Sequence, residues 1–207
     1  MTQAFGFLID VSRCTGCKTC VMACKDYHDL DATTAYRRVY DYEGGTWDRD
    51  SAGAYTHHAF CYSLSLGCNH CENPVCVQVC PTSAMHKEDN GFVRVNHHVC
   101  VGCGYCELAC PYHAPHVGTE TLQSQKCDGC FERVTSGENP ICVESCPLHA
   151  LEFAPLEELR ARDGVVDAIA PLPNSSYTHP RLVVRAPLCG KPTDYREGFV
   201  ANPKEVQ

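Results

Sequence analysis

The sequence has no apolar run long enough to cross a bilayer. Charged or polar residues interrupt every apolar stretch, well short of the roughly 20 residues a membrane helix needs. It also lacks a dense stripe of lysine and arginine. With 17 Lys+Arg against 25 Asp+Glu and a formal net charge of −8, the chain is ill suited to neutralise phosphates, and no nucleic-acid partner is expected. There is no Gly-rich nucleotide loop and no separable Ser/His/Asp or Cys/His set, so an active site within this chain is not expected either. The opening MTQAFGFLID has no Lys/Arg n-region, no long apolar h-region and no small-residue cleavage site, so the expectation is a chain made without its own export signal. A secreted disulfide framework then loses its premise, because thiols stay reduced where glutathione is abundant.

Cysteine, by contrast, is abundant. The 18 cysteines in 207 residues approach the level of a metal or disulfide scaffold, and their spacing favours metal thiolates. Sixteen fall into four quartets: Cys14, Cys17, Cys20, Cys24; Cys68, Cys71, Cys76, Cys80; Cys100, Cys103, Cys106, Cys110; and Cys127, Cys130, Cys142, Cys146. Cys61 and Cys189 stand outside. The first and third quartets read CxxCxxCxxxC, the run that supports [4Fe–4S] clusters, in which the last cysteine serves a different cluster from the first three. A thiolate at every third residue lets a loop curl round one cubane, while the fourth cysteine, about one helical turn on, is expected on an outgoing helix aimed at a second cluster.

The quartets share their surroundings as an internal repeat does. Gly16, Gly102 and Gly129 precede the second cysteine in three of the four loops, where the chain turns tightly. CPTSA (80–84), CPYHA (110–114) and CPLHA (146–150) share a CPxxA exit. The last quartet taken alone, CxxC then an eleven-residue loop before two further cysteines, also fits a structural zinc site. Its CPxxA exit, shared with the ferredoxin-like quartets, favours iron and sulfide. Of the eleven histidines, the pairs His57-His58 and His97-His98 invite a second metal site, but all four quartets are complete in cysteine and adjacent histidines point apart.

AFGFLID (4–10) and GFVRVN (91–96) read as strands before the first and third quartets, and SAMHK-EDNG-FVRVN as a hairpin bending at Asn90-Gly91. Asp31 to Ser51, with the only tryptophan, Trp47, lacks periodicity and reads as an extended or looped insertion. LEF after the last quartet reads as a closing strand, PLEELRARDG (155–164) as a short helix, and RLVVRAP as a strand or arm. The last twenty residues, rich in Pro, Gly and charge, are expected to lie along a partner or stay mobile.

The stretches RCTGCKTCVMACKDYHDL (13–30), CNHCENPVCVQVCPTSAMHKEDNGF (68–92), CVGCGYCELACPYHAP (100–115), KCDGCFERV (126–134), PICVESCPLHALEF (140–153) and ANPKEV (201–206) together resemble the four-cluster electron-transfer subunits of the complex iron–sulfur molybdoenzymes, and within that family the B subunits of anaerobic dimethyl sulfoxide reductases. The resemblance implies an α+β chain of two ferredoxin-like 2[4Fe–4S] modules with loop insertions and an extended C-terminal tail. Ferredoxin-type segment 4–34 pairs with 120–154, segment 61–90 with 91–119, 35–60 is an insertion, and 155–207 is a C-terminal helix and tail. It further implies nested ligand sets: Cys14, Cys17, Cys20 and Cys146; Cys24, Cys127, Cys130 and Cys142; Cys80, Cys100, Cys103 and Cys106; and Cys68, Cys71, Cys76 and Cys110. A cysteine at position 103, aromatic in nitrate-reductase relatives, implies four cubanes rather than three and a [3Fe–4S] centre. Lys25, where the other quartets have proline, lets the helix run on.

On that resemblance the chain is a non-catalytic wire of four [4Fe–4S] clusters between an integral membrane quinol-binding anchor and a molybdopterin-containing catalytic subunit of an S- or N-oxide reductase, in a heterotrimer. A formate, polysulfide or tetrathionate enzyme is the alternative destination, and a structural zinc-binding interaction protein the distant one. The expected location is peripheral to the membrane through the complex, after assembly in the cytoplasm, on the periplasmic face by co-export with a signal-bearing partner or else on the cytoplasmic face. Each oxidised cubane with four thiolates adds about two negative charges, so four take the chain from −8 to about −16. Lys18, Lys25, Lys126 and Arg133 are candidates to raise cluster potentials, or else plain surface charge. Tyr36, Tyr40, Tyr42 and Trp47 are candidates for a partner contact or for ordinary packing.

Overall fold

The computed structural model describes residues 4–206; residues 1–3, at the head of the stretch read for an export signal, and residue 207 of the tail lie outside the described residues. In chain order, strand β1 (Phe5–Asp10) leads into helix α1 (Thr19–Tyr27), followed by β2 (Arg38–Gly44), β3 (Trp47–Arg49), β4 (Tyr55–His57) and β5 (Phe60–Leu66). The one-turn helix α2 (Val75–Gln78), the hairpin strands β6 (Met85–Lys87) and β7 (Val93–Val95), α3 (Tyr105–Ala109), β8 (His116–Val117) and β9 (Ser124–Gln125) form the middle. Helices α4 (Phe131–Thr135) and α5 (Ile141–Glu144), strand β10 (Leu151–Pro155), α6 (Leu156–Arg160), β11 (Val165–Val166), β12 (Leu182–Arg185) and β13 (Gly198–Val200) complete it. Among the described residues no helix is long and apolar enough to cross a membrane.

β1 is central in a four-stranded sheet of order β10-β1-β12-β11, antiparallel to β10 and parallel to β12. Its near-continuous apolar sequence follows, since both faces are covered. Phe7 and Ile9 face the main core with Leu151, Leu182 and Val184, while Leu8 faces Leu156 and Leu159 of α6 and Val183. The second sheet, β13-β2-β5, contributes Val39, Tyr42, Tyr62 and Leu64 to the same core, which also contains quartet cysteines. The β6–β7 hairpin turns at Gly91, whose N–H bonds Glu88 O (2.8 Å) with φ +86°.

Three regions differ from their sequence reading. The stretch read as an extended or looped insertion carries β2 and the β3–β4 hairpin; β2 has no strict alternation of buried positions, only Val39 and Tyr42 being buried along it. Within it, Tyr42 is buried in the core and Trp47 exposed. The tail, read as mobile or partner-bound, folds onto its own chain. β13 pairs with β2, Asn202 Nδ2 donates to Val39 O (2.8 Å), its Oδ1 accepts from Asp41 N–H (2.9 Å), Lys18 bonds Glu205, and Val206 is buried. Of the quartets' last cysteines, only Cys24 lies within a helix. Cys80, Cys110 and Cys146 fall just past theirs, because the following proline keeps the residue before it out of the helical region.

Candidate metal centres

Each quartet is one local device. The residue before the second cysteine takes a left-handed conformation in all four loops: Gly16 (φ +68°), His70 (φ +42°), Gly102 (φ +65°) and Gly129 (φ +78°). At Gly102 a side chain is also excluded by space, since a Cβ there would meet Leu122 O at 2.0 Å. The third cysteine sits in a helix (Cys20 in α1, Cys76 in α2, Cys106 in α3, Cys142 in α5), with the fourth four residues on.

The CPxxA exits have a shared physical reason. Proline brings no N–H, the third residue is left-handed (Ser83 φ +55°, His113 φ +51°, His149 φ +47°), and the chain turns back so that the alanine N–H reaches the cysteine sulfur. Ala150 N–H donates to Cys146 Sγ at 3.2 Å, and Ala84 and Ala114 do the same for Cys80 and Cys110. Met85 N–H also donates to Cys80 Sγ (3.3 Å), Ser124 N–H to Cys100 Sγ (3.4 Å) and Gly129 N–H to Cys127 Sγ (3.4 Å). Such donors stabilise thiolate over thiol. At Cys80 they outweigh burial and pull the thiol below its ordinary value.

Cys14, Cys17, Cys20 and Cys146 line one small cavity, walled by Val39, Ser65, Leu148 and Leu151. Cys80, Cys100, Cys103 and Cys106 line a second, and Cys68, Cys71, Cys76 and Cys110 a third. Cys24, Cys127, Cys130 and Cys142 are all buried where α1 packs on α5. Burial, reinforced by the neighbouring Cys142 thiol, pushes Cys24 up to about 12, and Cys130 is raised to about 11 by burial with Cys142 beside it. Cys127 is driven well above its ordinary value by burial and by Cys24. Burial likewise raises Cys71 and Cys76 to about 12. Thiols crowded and dehydrated in this way hold negative charge only around a cation, which lowers their pKa in return. The donor sets, all sulfur, therefore suit soft iron–sulfide chemistry.

Cys61 and Cys189 join none of these sets. Cys61 is exposed on β5, with Cys189 Sγ 3.8 Å from its carbonyl oxygen. His57 and His58 are exposed on and beside β4 and His97 bonds Ser124 O (3.1 Å), so neither histidine pair gathers into a cysteine set. Of the four basic candidates, Lys18 pairs with Glu205, Arg133 with Glu138 and Glu144, and Lys25 bonds the carbonyls of Asp31 and Ala32. Only Lys126 is buried, its Nζ bonding Val93 O and Cys127 O (2.8 Å).

Two residues at these centres escaped the sequence reading. His70 is buried, and burial together with Lys126 holds it neutral. Its Nδ1 accepts Val93 N–H (3.0 Å), so its proton sits on Nε2, which faces Cys127 Sγ at 4.0 Å and joins the second quartet's loop to the fourth's. Its alignment with Gly16, Gly102 and Gly129 was the available signal. Arg37 is buried beside Cys20, and a lone arginine in an aperiodic stretch gives no such signal.

A 4Fe-4S dicluster domain matches residues 59–156 and a 4Fe-4S binding domain residues 5–26. Over its full length the chain is 52% identical to all of the B subunit of anaerobic dimethyl sulfoxide reductase from Escherichia coli strain K12, and over 99% of its length 49% identical to all of its counterpart in Haemophilus influenzae. The thiosulfate reductase electron transfer subunit of Salmonella typhi is 37% identical over 76% of this chain and 79% of its own.

Proposed function

Because the chain belongs to the iron–sulfur family of the anaerobic dimethyl sulfoxide reductase B subunits, we propose that it is the electron-transfer subunit of a molybdoenzyme reductase and carries four [4Fe–4S] clusters. The observation that carries this reading is the gathering of sixteen cysteines into four all-sulfur sets with amide donors aimed at the sulfurs. Cys14, Cys17, Cys20 and Cys146 would hold one cluster; Cys24, Cys127, Cys130 and Cys142 another; Cys80, Cys100, Cys103 and Cys106 a third; Cys68, Cys71, Cys76 and Cys110 the fourth. Segments 4–34 with 120–154, and 61–90 with 91–119, are then the two ferredoxin-like modules.

When bound, the clusters supply one-electron sites. The chain's own residues fix their separation, exclude water and set local charge. We assign it no catalytic residue. Electrons enter from a quinol-oxidising membrane anchor and leave to a molybdopterin subunit, with dimethyl sulfoxide or a related oxide as terminal acceptor. Full-length identity of about half to the dimethyl sulfoxide reductase subunits, against 37% over part of the chain for the thiosulfate subunit, supports that acceptor. Val99, Val101, Tyr105, Leu108 and Leu122 are exposed around the third quartet, an apolar surface of the kind that subunit contacts cover.

Anaerobic purification tests this. About sixteen irons per chain, a broad visible absorption and co-purification of a molybdenum-containing subunit are expected. Colourless protein with zinc on the quartets would overturn it.

A further inference from the structure

Arg37 is 4% exposed, yet among the described residues no carboxylate lies within ion-pair distance of it. Arg133, Arg162 and Arg185, all less buried, each have at least one. Its Nη1 donates to Ser65 O and to Ser65 Oγ, both at 3.1 Å, and its guanidinium carbon lies 5.6 Å from the Phe7 ring centroid. The guanidinium is thus held in one orientation inside the core.

A buried cation without a counter-charge is strongly disfavoured, so negative charge must come from what surrounds it. Burial works against charge on Arg37, and the sulfurs of Cys142, Cys20, Cys127 and Cys24, once they are thiolates, outweigh it. Cys20 belongs to the set completed by Cys146; the other three belong to the adjacent, fully buried set. Ser65 links the guanidinium to the first of these sets. Its Oγ accepts from Arg37, so its proton is free to donate to Cys20 Sγ, 3.2 Å away, a sulfur that can only accept as thiolate.

Resting on the four-cluster reading above, we infer that Arg37 is the fixed counter-charge shared by the two cluster sites of the first and fourth quartets, a positioning residue that raises the reduction potential of both. Reduction adds one negative charge to a site, and a cation locked beside it favours that state. Among the described residues no hydrogen bond or ion pair joins Arg37 to the sets of the second and third quartets, and the buried cation beside Cys76 and Cys110 of one of them is Lys126.

The test is an EPR-monitored redox titration of the intact, anaerobically purified protein, with signals assigned through Cys146→Ser and Cys127→Ser. Arg37→Met should make the two first–fourth clusters at least about tenfold harder to reduce, ~59 mV for one electron, and leave the other two in place. Arg37→Lys should restore most of the shift. Ser65→Ala should lower only the cluster bound by Cys20, by less. Unchanged potentials in iron-replete Arg37→Met, or one equal shift of all four clusters, overturns the inference. Should Arg37→Met not fold, the other variants decide: Ser65→Ala moving no potential overturns it. A parent protein lacking the iron or the EPR signals fails the four-cluster reading instead.

Discussion

Between Cys80 and Cys100 the chain runs 19 residues, through one hairpin; between Cys24 and Cys127 it runs 102. The two pairs of quartets otherwise use the same parts: α2 packs on α3 as α1 packs on α5, and β6–β7 corresponds to β1–β10. Closing the longer connection costs about 1.5 kcal/mol more by loop entropy, and the first–fourth pair carries bracing the other lacks. The β6–β7 ladder has only two strands, whereas β1 gains β12 on its free edge and α6 over its outer face. On the proposed pairing, the unit assembled from neighbouring sequence has only its hairpin, and the one assembled from remote sequence recruits further elements.

The sharpest way to break that comparison is to remove a ligand that crosses it. Cys146→Ser should cost about four of about sixteen irons, lost from the site of Cys14, Cys17 and Cys20 more than a hundred residues away, while the set of Cys127 keeps its signal. Iron analysis with EPR checks this; depletion of the Cys127 signal instead would mean a self-contained fourth quartet.

Bracing comes next. Leu182, 2% exposed on β12 opposite Phe7, should cost ~2–5 kcal/mol when cut to alanine. In urea, with a chelator present, the variant should lose the first–fourth clusters at lower denaturant than the parent, with the second–third pair little changed. Simultaneous loss of all four would show the two pairs to be one cooperative unit.

A smaller effect sits at the mouth of the first loop. Asp10 accepts from Ser12 N–H (3.1 Å), Ser12 Oγ–H and Arg185 Nη1 (3.1 Å). Burial opposes its charge, but these bonds outweigh it and leave its carboxyl below the usual range. That stabilisation is complete above about pH 4 and fades as pH falls through the lower folded value. Asp10→Asn should therefore cost ~1.5–3 kcal/mol near neutrality, the gap from the parent narrowing in acid; a gap independent of pH would sink the assignment.

The smallest effect should be equal in both pairs. His149→Gly and Ser83→Gly relieve left-handed side chains but free the unfolded backbone, so each should move stability by less than about 1 kcal/mol. Unequal responses in thermal melts would show the two exits to be less alike than their geometry.

Much of this was legible beforehand for a physical reason. A ligand loop is local, so spacing, the glycine before the second cysteine and the CPxxA exit identify it without knowledge of the rest. β1, the β6–β7 hairpin and β12 were readable from apolar runs and an Asn-Gly bend. β2 and β13 were not, because a strand's pairing with Gly198–Val200 some 155 residues away leaves no local pattern in RVYDYEG. Arg37 was invisible because arginine is ordinarily a surface residue, and only the fold reveals that its neighbours are sulfur.

The parallel seat of β12 beside β1 also orders events in time. β10 and β12, which flank β1, follow it by more than 140 and 170 residues. The sheet under the first quartet therefore stays open until β12 has been made. A chain cut short of β12 lacks that closure, so such a truncation should leave the sheet under the first quartet unfinished.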